Sequence, residues 1–122
     1  KIVFLEEFEK TRQLQHPNCM KVIELVEGKD WVHGKYKDQV FVISELARGS
    51  DLFNYMRCML ESGQHVEERW VAHVFRQAMQ GVSFMHSQGV VHNDLKPDNI
   101  LVMDAFDEYD PARVPDVKVS SL

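Results

Sequence analysis

The chain has 122 residues, 44% of them apolar and 27% charged, and a net charge of −5. That length is one domain or part of one, with the composition of an ordinary globular protein. The acidic balance argues against nucleic acid or an anionic membrane as the main partner and is compatible with a basic peptide substrate. Cys19 and Cys58 form no metal-binding spacing, so they read as two reduced thiols of a cytoplasmic or otherwise intracellular protein. No apolar run approaches a membrane span. The first ten residues, KIVFLEEFEK, are acidic and amphipathic, unlike a signal peptide. They begin inside a helical pattern with no capping residue before it, so the natural chain is expected to be longer.

Residues 2–15 predict a helix, with Val3, Phe4, Phe8 and Leu14 as its apolar positions, stopped by His16-Pro17-Asn18. MKVIELV, 20–26, predicts a strand. A turn-rich connection with Gly28 and Gly34 follows. QVFVIS, 39–44, predicts a second, antiparallel strand; it is apolar on both faces, so a central position is expected. Ser50 or Asp51 is a suitable N-cap for a helix to about Glu61, which Gly63 closes. The strongest periodicity lies in the next helix, where Val71, Val74, Phe75, Ala78, Met79, Val82 and Met85 recur at three and four and read as core. Gly89 stops it. NILVM predicts a short buried strand, DAFDEYDPARVPD a solvated acidic loop, and VKVSSL the start of another strand.

Two metal readings fail on spacing. A calcium loop starting at Asp104 would need Gly at its sixth position and Glu at its twelfth, but Tyr109 and Pro115 stand there. The histidines contain no pair four residues apart on a helix.

The densest chemistry is VVHNDLKPDNILV, residues 90–102. An Asp held between two apolar segments in a Pro-braced loop can act as a general base. A Lys two positions on can neutralise phosphoryl charge, and an Asn three further can ligate Mg²⁺. HNDLKPDN resembles the catalytic loop of eukaryotic protein kinases, His-Arg-Asp-Leu-Lys-Pro-x-Asn, in its Ser/Thr form. Other landmarks fall in register. Residues 2–15 resemble the small-lobe helix that ends at an HPN turn. FVISELARGSDLF is similar to the strand, hinge and helix start of that family. WVAHVFRQAMQGVSFMHSQGVVH is similar to its long helix before the catalytic loop. GSDLF and SQGVVH are closest to the calcium/calmodulin-dependent group.

The resemblance implies an α+β, bilobal protein-kinase-like fold, of which this chain is part. Residues 1–44 would belong to the small lobe with two antiparallel strands, 45–50 to the hinge, and 51–122 to the mainly helical large lobe. About half of a domain of roughly 250 residues is covered. The implied cofactors are ATP and Mg²⁺, and the implied partner is a protein substrate. Asp94 would be the catalytic base and Lys96 the contact to the γ-phosphate. Asn99 would bind the metal. Glu45 and Ala47 would hold adenine through their backbones, over a floor made by Leu101. Asp51 would bond the ribose or a basic peptide residue, or simply cap its helix. Ser44 would be the gatekeeper, and Glu7 the partner of a lysine on a small-lobe strand.

Three positions depart from the family's pattern. Asn93 replaces an Arg that grips an activation-loop phosphate through a bidentate fork, which an amide lacks. Thr11 stands where an apolar residue is usual, so looser packing is expected behind that helix. Ser121 and Leu122 fall where Asp-Phe of Asp-Phe-Gly would be, removing the metal-binding carboxylate. Two readings follow, an active Ser/Thr kinase and a pseudokinase acting as a nucleotide-binding or scaffolding module.

Overall fold

The computed structural model describes residues 2–91 and 95–120, excluding the side chains of 2–5, 7, 29–32 and 35–37. Helix α1 (Ile2–Arg12) leads into a long hairpin of β1 (Val22–Val32) and β2 (Lys35–Ser44). Helices α2 (Leu52–Glu61) and α3 (Glu68–Ser87) follow. A 3-10 turn (Pro97–Asn99) then precedes β3 (Ile100–Val102), which pairs antiparallel with β4 (Val117–Val119). Among the described residues no helix is long and apolar enough to cross a membrane.

Helix α1 ends three residues before the expected boundary. Gln13 and Leu14 donate to the carbonyls of Lys10 and Thr11, so the last turn tightens and carries Leu14 into the core. Thr11, where looser packing was expected, is buried, with 3% of its surface exposed. The HPN turn then organises itself: His16 Nδ1 accepts from the Asn18 amide at 3.0 Å, and the His16 ring stacks on Phe84 at 4.9 Å.

The segment expected to be a turn-rich connection is strand. Val22–Ser44 forms one hairpin whose register runs from Val22↔Ser44 to Val32↔Lys35. His33 (φ 51°) and Gly34 (φ 74°) make the reversal in the left-handed region, as a two-residue hairpin turn requires. Short-range turn chemistry at His33-Gly34 therefore overrides the low strand propensity of the charged residues on either side. The second strand expected over 39–44 is the C-terminal half of this hairpin. Strand β2 pairs only with β1 among the described residues, and Val40, Phe41, Val42 and Ile43 are exposed, Phe41 by 49%.

The core lies under the helices. Leu52, Tyr55, Met59, Trp70, Val74, Ala78 and Met85 pack against Ile100, Val102, Val117 and Val119. Met59 and Met85 are fully enclosed, each burial contributing roughly 1.5–3 kcal/mol. The buried row of α3 is Trp70, Val74, Ala78, Gly81 and Met85. Val71 and Phe75, expected in the core, are exposed, Phe75 by 56%. Each sits one residue, about 100°, round the helix from a buried position. Cys19 is buried in the same core, its thiol donating to the Gly81 carbonyl at 3.4 Å. Burial pushes that thiol up to about 11, against a smaller opposing pull from Lys118.

The acidic loop is docked rather than simply solvated. Phe106 meets Tyr55 edge-on at 5.6 Å. Trp70 Nε1 donates to the Arg113 carbonyl at 3.1 Å, Gln77 Nε2 donates to that of Pro115 at 3.0 Å, and Pro115 is fully buried. Its charged side chains remain largely in solvent, and Tyr109 at its tip is 91% exposed. Alternation of acidic residues with Phe106, Val114 and Pro115 was the available signal for this docking.

Helix α3 approaches the HPN turn so closely that a Cβ at Gly81 would meet the Asn18 carbonyl and lie 2.8 Å from Val119 Cγ2. In an exposed helix interior, Gly→Ala stabilises by about 1 kcal/mol. Here the sign should reverse. Gly81→Ala is expected to destabilise the full-length protein by about 1–3 kcal/mol through overpacking. Denaturant midpoints of parent and variant measure it, and a variant as stable as the parent would refute the close approach.

Candidate functional site

Strand β3 and the segment 45–51 meet edge to edge. The Gly49 amide donates to the Val102 carbonyl at 2.9 Å, and the Val102 amide donates to that of Ser50 at 2.8 Å. A further bridge joins Asp51 to Leu101. Ser50 takes a left-handed conformation (φ 63°), turning the chain from that edge into α2. Asp51 is the N-cap of α2. One carboxylate oxygen accepts from the Asn54 amide at 2.9 Å, and the other from Asn54 Nδ2 at 2.7 Å. Of the two cap candidates the sequence offered, Asp51 is the one used.

Glu45 is the most constrained of the expected site residues. Its amide donates to the Lys21 carbonyl at 3.1 Å, while its Oε1 accepts from the Lys21 amide at 2.8 Å. The same oxygen receives Lys118 Nζ at 2.7 Å. The pair is half-buried, with 20% of the Lys118 side chain and 25% of the Glu45 side chain exposed. Burial pushes the Glu45 carboxyl up, but the hydrogen bonds and charges of Lys118 and Lys21 outweigh it, and the net direction is downward. Ser44, exposed at the end of β2, donates its hydroxyl to the Glu45 carbonyl at 3.4 Å. Ala47 is half-buried, and its carbonyl accepts from the Ser50 amide at 3.1 Å.

Leu101 lies opposite Lys118 in the β3–β4 register and is half-buried. The structure therefore brings Glu45, Asp51, Leu101 and Lys118 to one place, with Ser44 and Ala47 flanking Glu45 in the chain. The 3-10 turn before β3 carries Lys96 at its N-cap and Asn99 at its end. The Asn99 amide donates to the Lys96 carbonyl at 2.9 Å, and the Asn99 carbonyl accepts from the Ser120 amide at 3.1 Å. That bond ties the turn to the residue directly before Ser121. Asp94, Asn93 and Ser121 lie outside the described residues, and Glu7 falls on α1 with its side chain outside the description.

Lys118, Lys21, Asn18 and Gln77 were missed by sequence reasoning. Asn18 Nδ2 donates to the Val117 carbonyl at 3.0 Å, and Gln77 Oε1 accepts from the Val117 amide at 2.9 Å. The only sequence signal for Lys118 was its position as a lone charge between two apolar strand residues.

Residues 1–120 match the protein kinase domain family. Over 90 residues the chain is 38% identical to the calcium/calmodulin-dependent protein kinase type 1 of Macrobrachium nipponense, covering 74% of this chain and 23% of that protein. It is 29% identical over 119 residues to a probable myosin light chain kinase of Dictyostelium discoideum, covering 98% of this chain and 27% of that one. Among solved structures it resembles Rad53, crystallised in complex with AMP-PNP, with a TM-score of 0.68 and 25% identity over 95% of this chain and 26% of that one. The chain thus spans about a quarter of the length of these relatives.

A carboxyl whose folded pKa is lowered adds stability above its unfolded pKa, and that stability is lost as pH falls through the folded value. The melting temperature of the parent should therefore exceed that of Glu45→Gln near neutral pH. The gap should close on acidification through the carboxylate range. Melting curves of both proteins over a pH series test this, and a gap independent of pH would remove the charge of Glu45 from the account.

Proposed function

The chain belongs to the protein kinase domain family, and from that premise we propose that the protein it comes from is a Ser/Thr protein kinase, moving the γ-phosphoryl group of ATP to protein hydroxyls. The observation that carries this reading is the Asp94-x-Lys96-x-x-Asn99 set, followed by a β3 strand that runs beside segment 45–51. The similarity to a probable serine/threonine-protein kinase of Dictyostelium discoideum, 31% identical over 110 residues, supports the substrate class.

In this reading the carbonyl of Glu45 and the backbone of Ala47 form the adenine-binding edge, and Leu101 forms the floor. Ser44 is a small gatekeeper. Asp51 reaches the ribose or a basic residue of the peptide, with oxygens that already serve as the helix cap. Asp94 orients the attacking hydroxyl and accepts its proton, and Lys96 steadies the γ-phosphate. Glu7 pairs with a lysine from the small lobe. The net charge of −5 supports a basic peptide as substrate.

Mg²⁺ fits this donor set poorly. It is ordinarily held by one or two carboxylates plus substrate phosphates. Asn99 offers a neutral amide and Ser121 a neutral hydroxyl. The bond from the Ser120 amide to the Asn99 carbonyl supports the alignment that brings Ser121 to this position. A second reading therefore has a specific observation in its favour, a pseudokinase that binds nucleotide with little help from metal and acts as a scaffold.

Two measurements on the full-length protein separate these readings. Asp94→Asn should lower phosphate transfer by ~10²–10⁴-fold in an active kinase; unchanged turnover would sink the role given to Asp94, and no transfer by the parent would favour the scaffold. Nucleotide titrations with and without Mg²⁺ should show a small metal effect in the parent and a larger one in Ser121→Asp. A parent with a large metal effect that Ser121→Asp does not raise would mean that another carboxylate serves there.

A further inference from the structure

Strand β4 has two faces with different tasks. Val117 and Val119 are fully buried against α3 and the HPN turn. By the alternation of a strand, Lys118 points to the opposite face, where its cross-strand neighbour is Leu101. An ammonium at that position has no packing task in the core. It reaches instead across to segment 45–51 and meets Glu45 Oε1 at 2.7 Å. The residue before Glu45 ends β2, and Glu45 itself is bonded to Lys21, the residue directly before β1. The Lys118–Glu45 pair is thus a side-chain link from the β3–β4 floor to the strip of backbone between the hairpin and α2.

We propose that Lys118 is a positioning residue for a bound purine: through Glu45 it sets the separation between the backbone edge at 45–47 and the floor at Leu101. The inference rests on the adenine-edge reading of Glu45, Ala47 and Leu101. A purine is a rigid plate that must touch a floor on its face and hydrogen-bond an edge in its plane, so the offset between these two surfaces governs its affinity. The link has the right form for that task. It joins the two surfaces directly, it is half-buried, and its charges neutralise each other, so no bare carboxylate stands beside the nucleotide. Backbone hydrogen bonds fix the edge at 49–51 to β3, but at Glu45 the side-chain pair provides the connection.

The test uses adenosine and ATP as probes of the full-length protein, titrated against the parent, Lys118→Met and Lys118→Arg. Adenosine has no phosphates, so it reports the purine surfaces alone. Lys118→Met is expected to weaken both ligands by the same factor, roughly fivefold, the upper range for a partly exposed ion pair. Lys118→Arg should restore most of it. A merely structural lysine would lower the melting temperature and leave the adenosine affinity of the folded protein unchanged, which would overturn the proposal. Loss of ATP affinity without loss of adenosine affinity would overturn it too, by moving Lys118 to the phosphates. If Lys118→Met does not fold, Glu45→Gln approaches the pair from its other end and should show the same parallel loss; unaltered adenosine binding there counts against the proposal. A parent that binds neither ligand would refute the adenine-edge reading itself, and this inference with it. A parent that binds both ligands, with Lys118→Met binding each of them equally well, would refute the inference alone.

Discussion

Val117 and Val119 are fully buried, and their backbone groups are distributed over three other parts of the chain. The Val117 amide goes to Gln77 on α3, and its carbonyl receives Asn18. The Val119 amide donates to the Asn18 carbonyl, and its own carbonyl accepts from the Met20 amide. On the remaining side the strand pairs with β3. A buried amide or carbonyl left without a partner loses about 1–3 kcal/mol, so these two residues place strict demands on their surroundings. Gln77 must present its oxygen, Asn18 must present both its side chain and its carbonyl, and α3 must come close enough for both. Gly81 is what lets the helix come that close.

The candidate site inherits its geometry from this junction. Once β4 is fixed by its buried face, the side chain between the two valines has only one direction available, and β3 follows in register. Leu101 and Lys118 then share a face, and the ends of both strands lie beside the 3-10 turn that carries Lys96 and Asn99. Chemistry-bearing residues that are distant in sequence therefore depend on apolar residues that perform none. The strand itself is specified by Val117 and Val119, whose buried side chains and backbone bonds hold it in place independently of the chain that follows.

Much of this was legible beforehand where the signal was local. The cap at Asp51 and the stops at Gly63 and Gly89 are read within a few residues, and α2 and α3 fall where those signals put them, while the His16-Pro17-Asn18 break gave the end of α1 only to within a turn. Periodicity gave the existence of α3 but not its rotation, because an apolar stripe seven residues wide contains both Val74, which is buried, and Phe75, which is not. The hairpin arm was misread for another reason. Gly28, Asp30 and several lysines lower strand propensity, and only the two-residue reversal at His33-Gly34 reveals the pairing. Lys118 and Glu45 are 73 positions apart, and the acidic loop docks through carbonyls of Arg113 and Pro115. No local pattern encodes a bond to a carbonyl or an ion pair at that separation.

The hairpin and the helical part stand in different energetic positions. An isolated two-stranded hairpin is at best marginally stable in water, and β2 exposes most of its apolar side chains. Among the described residues, α1 packs on β1 and the base of the hairpin ties it to the rest of the chain. Val22 is buried there, Lys21 and Glu45 exchange two hydrogen bonds, and Lys118 draws Glu45 toward β4. One carboxylate thus serves as the last rung of the β1–β2 ladder and the first contact with the β3–β4 pair. An ion pair suits that position better than an apolar contact would. It is directional, so it sets an angle as well as a distance, and its partial exposure keeps the desolvation cost lower than for a fully buried pair.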